Sequence, residues 1–126
     1  MKSYTDLEQS KVLSDILPIE SADECYIKHS SSNNPSWEFN EDFPPMILGN
    51  VPINAMTVET LPCWSLTALL NILPYPQLSK DKLGGGKEGW MVSVYPDNCR
   101  HDSSWHDNQV DACYEMIIKL IELKIL

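Results

Sequence analysis

The stretch that most constrains this chain is "PCWSLTALLNILPYP", residues 62–76. Trp64, Leu66, Leu69, Leu70 and Leu73 fall at helical spacing and leave almost no polar side. A helix apolar nearly all round has to be buried on more than one side. Pro74 and Pro76 close it, because proline cannot continue the hydrogen-bond ladder. At the other end, Thr60 is expected to cap it with Pro62 in the first turn, where a missing N–H costs nothing. The rest of the chain must supply layers that cover this helix.

Two further helices flank it. In "YTDLEQSKVLSDILP", Thr5 followed by Glu8 fits a capping box. Leu7, Val12, Leu13, Ile16 and Leu17 give an apolar face, and Pro18 a stop, so residues 6–17 are predicted helical. Near the C-terminus, Asn108 caps "VDACYEMIIKLIELKIL", with Asp111 in the first turn to suit the helix dipole. Val110, Cys113, Ile117, Leu120 and Ile121 keep the helical period.

Between the helices the period changes. "ECYIKHS" (24–30) and "SWEFN" (36–40) read as a hairpin about the turn-forming "SSSNNPS". "QLSKDKLGGGKEGWMVSVYPDN" (77–98) reads as a second hairpin, with Gly84, Gly85 and Gly86 at its tip. Residues 41–60 carry Pro44, Pro45, Gly49 and Pro52. They are expected to form an irregular, partly buried segment with Met46, Ile47 and Leu48 inward and room for no more than a short edge strand, since dense prolines oppose helix and central strand alike. The order α-β-β-α-β-β-α gives an α+β fold: one domain over residues 1–126, with a small antiparallel sheet of about four strands packed by three helices.

The 126 residues suffice for one core without disulfide staples. The four cysteines (Cys25, Cys63, Cys99 and Cys113) include no CxxC pair and are expected as free thiols. No apolar leader opens the chain and no run reaches the length of a membrane span. A cytoplasmic location is therefore expected. Net charge is −9. Residues 1–60 hold ten acids against three lysines, and residues 61–126 eight acids against six bases, giving −7 and −2. Such a chain repels phosphate, so direct nucleic-acid binding is not expected.

Three segments carry a resemblance: "YTDLEQSKVLSDILPIESAD" (4–23), "PCWSLTALLNILPYPQL" (62–78) and "VDACYEMIIKLIELKIL" (110–126). In these blocks the chain resembles a family of small proteins from Bacteroides-type gut bacteria and their phages or mobile elements. The resemblance implies a context and no reaction: accessory proteins of this kind bind something of the host.

Four features could carry chemistry. Cys63, read at a helix start, could be a thiol activated by the helix terminus, with His101 or His106 as base and Asp102, Asp107 or Asn108 to orient it. That is the hydrolase alternative; "LPCWSL" equally fits a small buried residue. Cys99, His101 and His106 are zinc-type ligands, but C-x-H-x4-H matches no strong zinc spacing. "LGGGKEG" lacks the Ser or Thr after Lys87 and the following helix that a phosphate loop needs. Trp105 stands in a polar loop, where an exposed aromatic serves as an anchor for a partner or a base.

The expected function is therefore non-catalytic binding, with no cofactor. The partner would be a host protein or a small anionic, nucleotide-like ligand. Trp105, His101, His106, Lys87 and Arg100 are the candidate contacts, joined by Lys80 and Lys82 if the ligand is anionic. A third reading is a structural or dimeric module associating through the apolar C-terminal helix.

Overall fold

The computed structural model describes residues 2–29, 36–40, 58–82 and 85–126. The expected inward packing of Met46, Ile47 and Leu48, the turn at 30–35 and Gly84 lie outside the described residues. The fold is α+β, with three α-helices and two three-stranded antiparallel sheets. The expected hairpins are both present. Each gains a third strand, so six strands form two sheets where about four had been placed in one. The described chain divides into two compact units, Asp6–Ser65, and Met1–Thr5 with Leu66–Leu126.

In the first unit, α1 spans Leu7–Ile16. Its capping box uses Asp6 and Gln9 rather than Thr5 and Glu8. Both pairs have the required spacing, and the start falls one residue later because Asp6 Oδ1 accepts the Gln9 N–H at 2.8 Å. Ser10 and Leu13 are its buried residues, while Val12 and Ile16 are 43% and 40% exposed. The buried stripe is thus narrower than the apolar pattern predicts. A single 3-10 turn, Ile19–Ser21, leads to β1 (Glu24–His29), which lies between β2 (Trp37–Asn40) and β3 (Val58–Cys63).

β3 corrects the reading of the second helix start. Thr60 and Pro62 do not begin a helix; they stand in this strand opposite Ile27 and Cys25. β3 is an edge strand, and at an edge a proline's missing N–H can face away from the ladder. Trp64 follows, fully buried, with its indole N–H donating to Ser21 Oγ at 3.0 Å. A buried indole keeps such a partner because an orphaned donor is costly. The Asp23 carboxylate accepts from the Ser65 N–H at 2.9 Å and from its hydroxyl.

In the second unit, α2 spans Leu66–Ile72, β4 Gln77–Lys82, β5 Glu88–Val94, β6 His101–Asp102 and α3 Gln109–Glu122. The sheet order is β4-β5-β6. α3 packs on β5 and on α2. It buries Val110, Ala112, Cys113, Met116, Ile117 and Leu120 against fully buried Val92 and Val94. Each such aliphatic side chain contributes roughly 1.5–3 kcal/mol by leaving water. Asn108 is the α3 N-cap, its side-chain oxygen accepting the Asp111 N–H at 2.8 Å, as the sequence predicts.

Among the described residues no helix is long and apolar enough to cross a membrane.

Candidate functional site

The polar side chains of the second unit gather where the segment from Asp97 to Asn108 runs between β5 and α3. β6 pairs His101 with Val94 and Asp102 with Ser93. Farther on, His106 and Trp90 exchange two backbone hydrogen bonds of 2.6 and 2.8 Å. The Ser103 N–H donates to the Val92 carbonyl at 2.9 Å, and the buried Ser103 hydroxyl accepts the Val92 N–H at 3.0 Å. This segment is an extension of the sheet, with backbone fixed at several points.

α3 holds it from the other side through a polar stripe at i, i+4 and i+8: Asp111, Glu115 and Lys119. Asp111 pairs with Lys2 Nζ at 2.8 Å. Glu115 accepts from the Ser104 N–H at 2.7 Å and lies 3.0 Å from His106 Nε2. Lys119 Nζ donates to the Asp102 carbonyl at 3.1 Å. Residues four apart share a helix face, so one stripe reaches both ends of the loop.

The electrostatics follow from these bonds. Partial burial pushes the Glu115 carboxyl upward. The Ser104 amide and His106 outweigh that push and leave it below its ordinary value. The Ser93 hydroxyl and then Arg100 hold the Asp102 carboxyl below its ordinary value. Ser93 Oγ and Arg100 Nε each donate to Asp102 Oδ1 at 2.7 Å. Arg100 is held through Nε on an exposed side chain, and the Asp102 bond raises its pKa further.

Trp105 sits between these clamps and is 40% exposed. Of the other expected contacts, His106 is tied to Glu115, and His101 lies in β6 with Nε2 3.7 Å from Asp97 Oδ1. Arg100 is exposed beside Asp102. Lys87 is exposed near the tip of the second hairpin, beside Gly85 and Gly86, whose φ angles of 85° and 80° suit glycine. Lys80 belongs to β4, where it pairs with Glu88 at 3.2 Å and lies 5.2 Å from the Trp90 ring centre. Lys82 is exposed on the same strand. The basic residues thus divide between the hairpin and the loop.

Cys63 is in β3, not at a helix start, and is fully buried. The helix begins three residues later, at Leu66. His106 Nε2 is engaged by Glu115. The Ser103 hydroxyl is engaged as well, donating to the Ser104 carbonyl at 2.9 Å. Cys99 is exposed, with its N–H donating to Asp97 Oδ1 at 3.3 Å. No group of three or more His, Cys, Asp or Glu side chains among the described residues is placed to share a metal ion. The zinc alternative at Cys99, His101 and His106 is therefore not assembled.

Sequence reasoning missed Glu115 and Lys119. Their signal was present as charges at four-residue spacing, Asp111, Glu115 and Lys119, on one side of a largely apolar helix. No protein-family model, no curated protein and no solved structure matches this chain.

Proposed function

We infer that this chain is a non-catalytic binding protein that captures its target through the loop at residues 99–108. One observation carries the reading. Glu115, Lys119, Asp102 and Ser103 fix the loop at both ends while Trp105 between them stays 40% exposed. A large aromatic held in place in solvent loses little entropy on binding, which is what makes such residues anchors. Arg100, held by Nε, adds a fixed cation on the same loop.

The context is that of a phage or mobile-element accessory protein acting on its host, in the cytoplasm, with a counter-defence role. Its target is a host protein or a small nucleotide-like anion. The support for this context is the resemblance carried by residues 4–23, 62–78 and 110–126.

The test compares wild type, Trp105→Ala and Tyr75→Ala, the last an 80% exposed aromatic outside the loop. Each is assayed by native mass spectrometry after purification from its host and by calorimetry against a series of mono- and cyclic dinucleotides. Loss of a hot-spot aromatic is expected to weaken binding by about thirtyfold or more, with Tyr75→Ala unchanged. If Trp105→Ala retains the target at wild-type affinity, the loop is not the binding site. Weakening by Arg100→Ala distinguishes an anionic ligand from an apolar protein contact.

A further inference from the structure

The open edge of β4 goes beyond that reading, because it offers a surface to a second molecule independently of the loop. In an antiparallel strand the N–H and C=O of one residue point to the same side, and successive residues alternate. Trp90 turns both groups toward His106, and Val92 turns both toward Ser103. Gly89, Met91 and Ser93 therefore face β4 and bond Asp81, Ser79 and Gln77, their register partners. It follows that Leu78, Lys80 and Lys82 direct their backbone groups away from β5. No hydrogen bond among the described residues reaches the outward groups of Leu78 and Lys80.

This edge has defined ends. At one end Pro76 has no N–H to give. At the other the Lys82 N–H is taken by Asp81 Oδ1 at 2.8 Å. What remains, besides the Lys82 carbonyl, is one donor and one acceptor on each of Leu78 and Lys80. They form a self-complementary set, because a two-fold axis through Ser79 exchanges the two residues.

We propose that β4 is a self-association site, on which a second copy of this chain lays its own β4 antiparallel, Ser79 opposite Ser79. The alternative two-fold registers are each worse. Centring on Lys80 sets lysine against lysine, and centring on Asp81 sets acid against acid with Lys80 against Lys82; like charges directly opposite are destabilising. Centring on Leu78 also allows four backbone hydrogen bonds, but two of them go to the Pro76 carbonyl, outside β4, and the Lys80 carbonyl is left without a donor because Pro76 opposite it has no N–H. With Ser79 at the centre, Lys80 faces Leu78 twice, Gln77 faces Asp81 twice, and four backbone hydrogen bonds form. Lysines usually guard an edge against pairing. Here the Lys80 ammonium is held along its own hairpin by Glu88 and the Trp90 ring, which keeps its charge off the incoming strand. The joined sheet would run β6-β5-β4-β4-β5-β6.

The experiment uses the full chain. Native mass spectrometry and sedimentation over a concentration series should show a species of twice 14.3 kDa. Ser79 would sit at a non-hydrogen-bonded position, where Cα atoms approach to about 4.5 Å, within the span of a disulfide. In a Cys99→Ser background, Ser79→Cys should therefore form a covalent dimer under copper–phenanthroline, and Asp81→Cys should not. Lys80→Pro removes an outward N–H and leaves the bonds to β5 in place. It should raise the half-dimerisation concentration by about tenfold or more. If Lys80→Pro fails to fold, the cysteine pair decides alone. A monomer at every concentration would overturn the proposal, as would equal cross-linking at positions 79 and 81. So would a dimer that tolerates Lys80→Pro but is lost on Leu123→Asp or Leu126→Asp, which would place the contact on the exposed end of the C-terminal segment.

Discussion

The two sheets share one device and differ in what supports it. In β2-β1-β3, Lys28 is the register partner of Trp37, with Nζ 5.7 Å from the ring centre. In β4-β5-β6, Lys80 is the register partner of Trp90 at 5.2 Å. The helices beside them are unlike. α1, packed on β3, buries only Ser10 and Leu13, whereas α3, packed on β5, buries six residues. The polar contacts differ too. The first sheet adds an edge-to-face contact of Tyr26 with Phe39, and the second adds the Ser93–Asp102–Arg100 chain. The charged groups of α3 reach across to the loop at 102–106, whereas the ion pair that α1 carries, Glu8 with Lys11, closes within the helix itself.

The largest test of this contrast is truncation of the cores. Leu120→Ala in α3 is expected toward the upper end of about 2–5 kcal/mol and Leu13→Ala in α1 toward the lower end, because a sparse site collapses more readily around a cavity. Urea midpoints measure both, and the reverse order would break the comparison.

Next come the caps, each worth about 0.5–2 kcal/mol. Asn108 is buried and bonds both Asp107 and Asp111, while the Asp6–Gln9 box is exposed. Asn108→Ala should therefore exceed Asp6→Ala in thermal melts.

Glu115→Gln probes the margin of α3 and should cost about 1 kcal/mol at neutral pH. Its folded carboxyl lies below the ordinary 4.5. Its contribution to stability is therefore fully present above 4.5 and lost as pH falls through the lower folded value. The variant should flatten that part of the acid limb, and an unchanged acid profile would show that Ser104 and His106 do not depend on the charge.

The smallest effects are those of Lys28→Met and Lys80→Met, about 0.5 kcal/mol each by loss of the cation–π contact. Only the second should depend on salt, through the exposed Glu88 pair.

Sequence alone revealed the elements whose signals are local. Asn108 and Pro18 mark helix ends whatever surrounds them, and the alternation of Trp90, Val92 and Val94 marks β5. β3 was hidden because Pro62 argues against a strand until its place at a sheet edge is known. β6 was hidden because two residues of ordinary polarity, His101 and Asp102, become a strand only through Ser93 and Val94. At the candidate site Trp105 and Arg100 were visible as exposed types in a loop. Glu115 and Lys119 were not, since their role depends on which face of α3 meets that loop.

The cysteines give the molecule a built-in reporter position. Cys25, Cys63 and Cys113 are buried, and burial pushes the Cys113 thiol up to about 12, far from the thiolate that alkylating reagents attack. Cys99 alone among the four is exposed, and it adjoins Arg100. A maleimide dye or spin label added to the unmodified protein should settle there, one sequence position from the candidate contact loop's fixed cation. The natural chain can therefore be followed spectroscopically as it meets its target, without any engineered thiol.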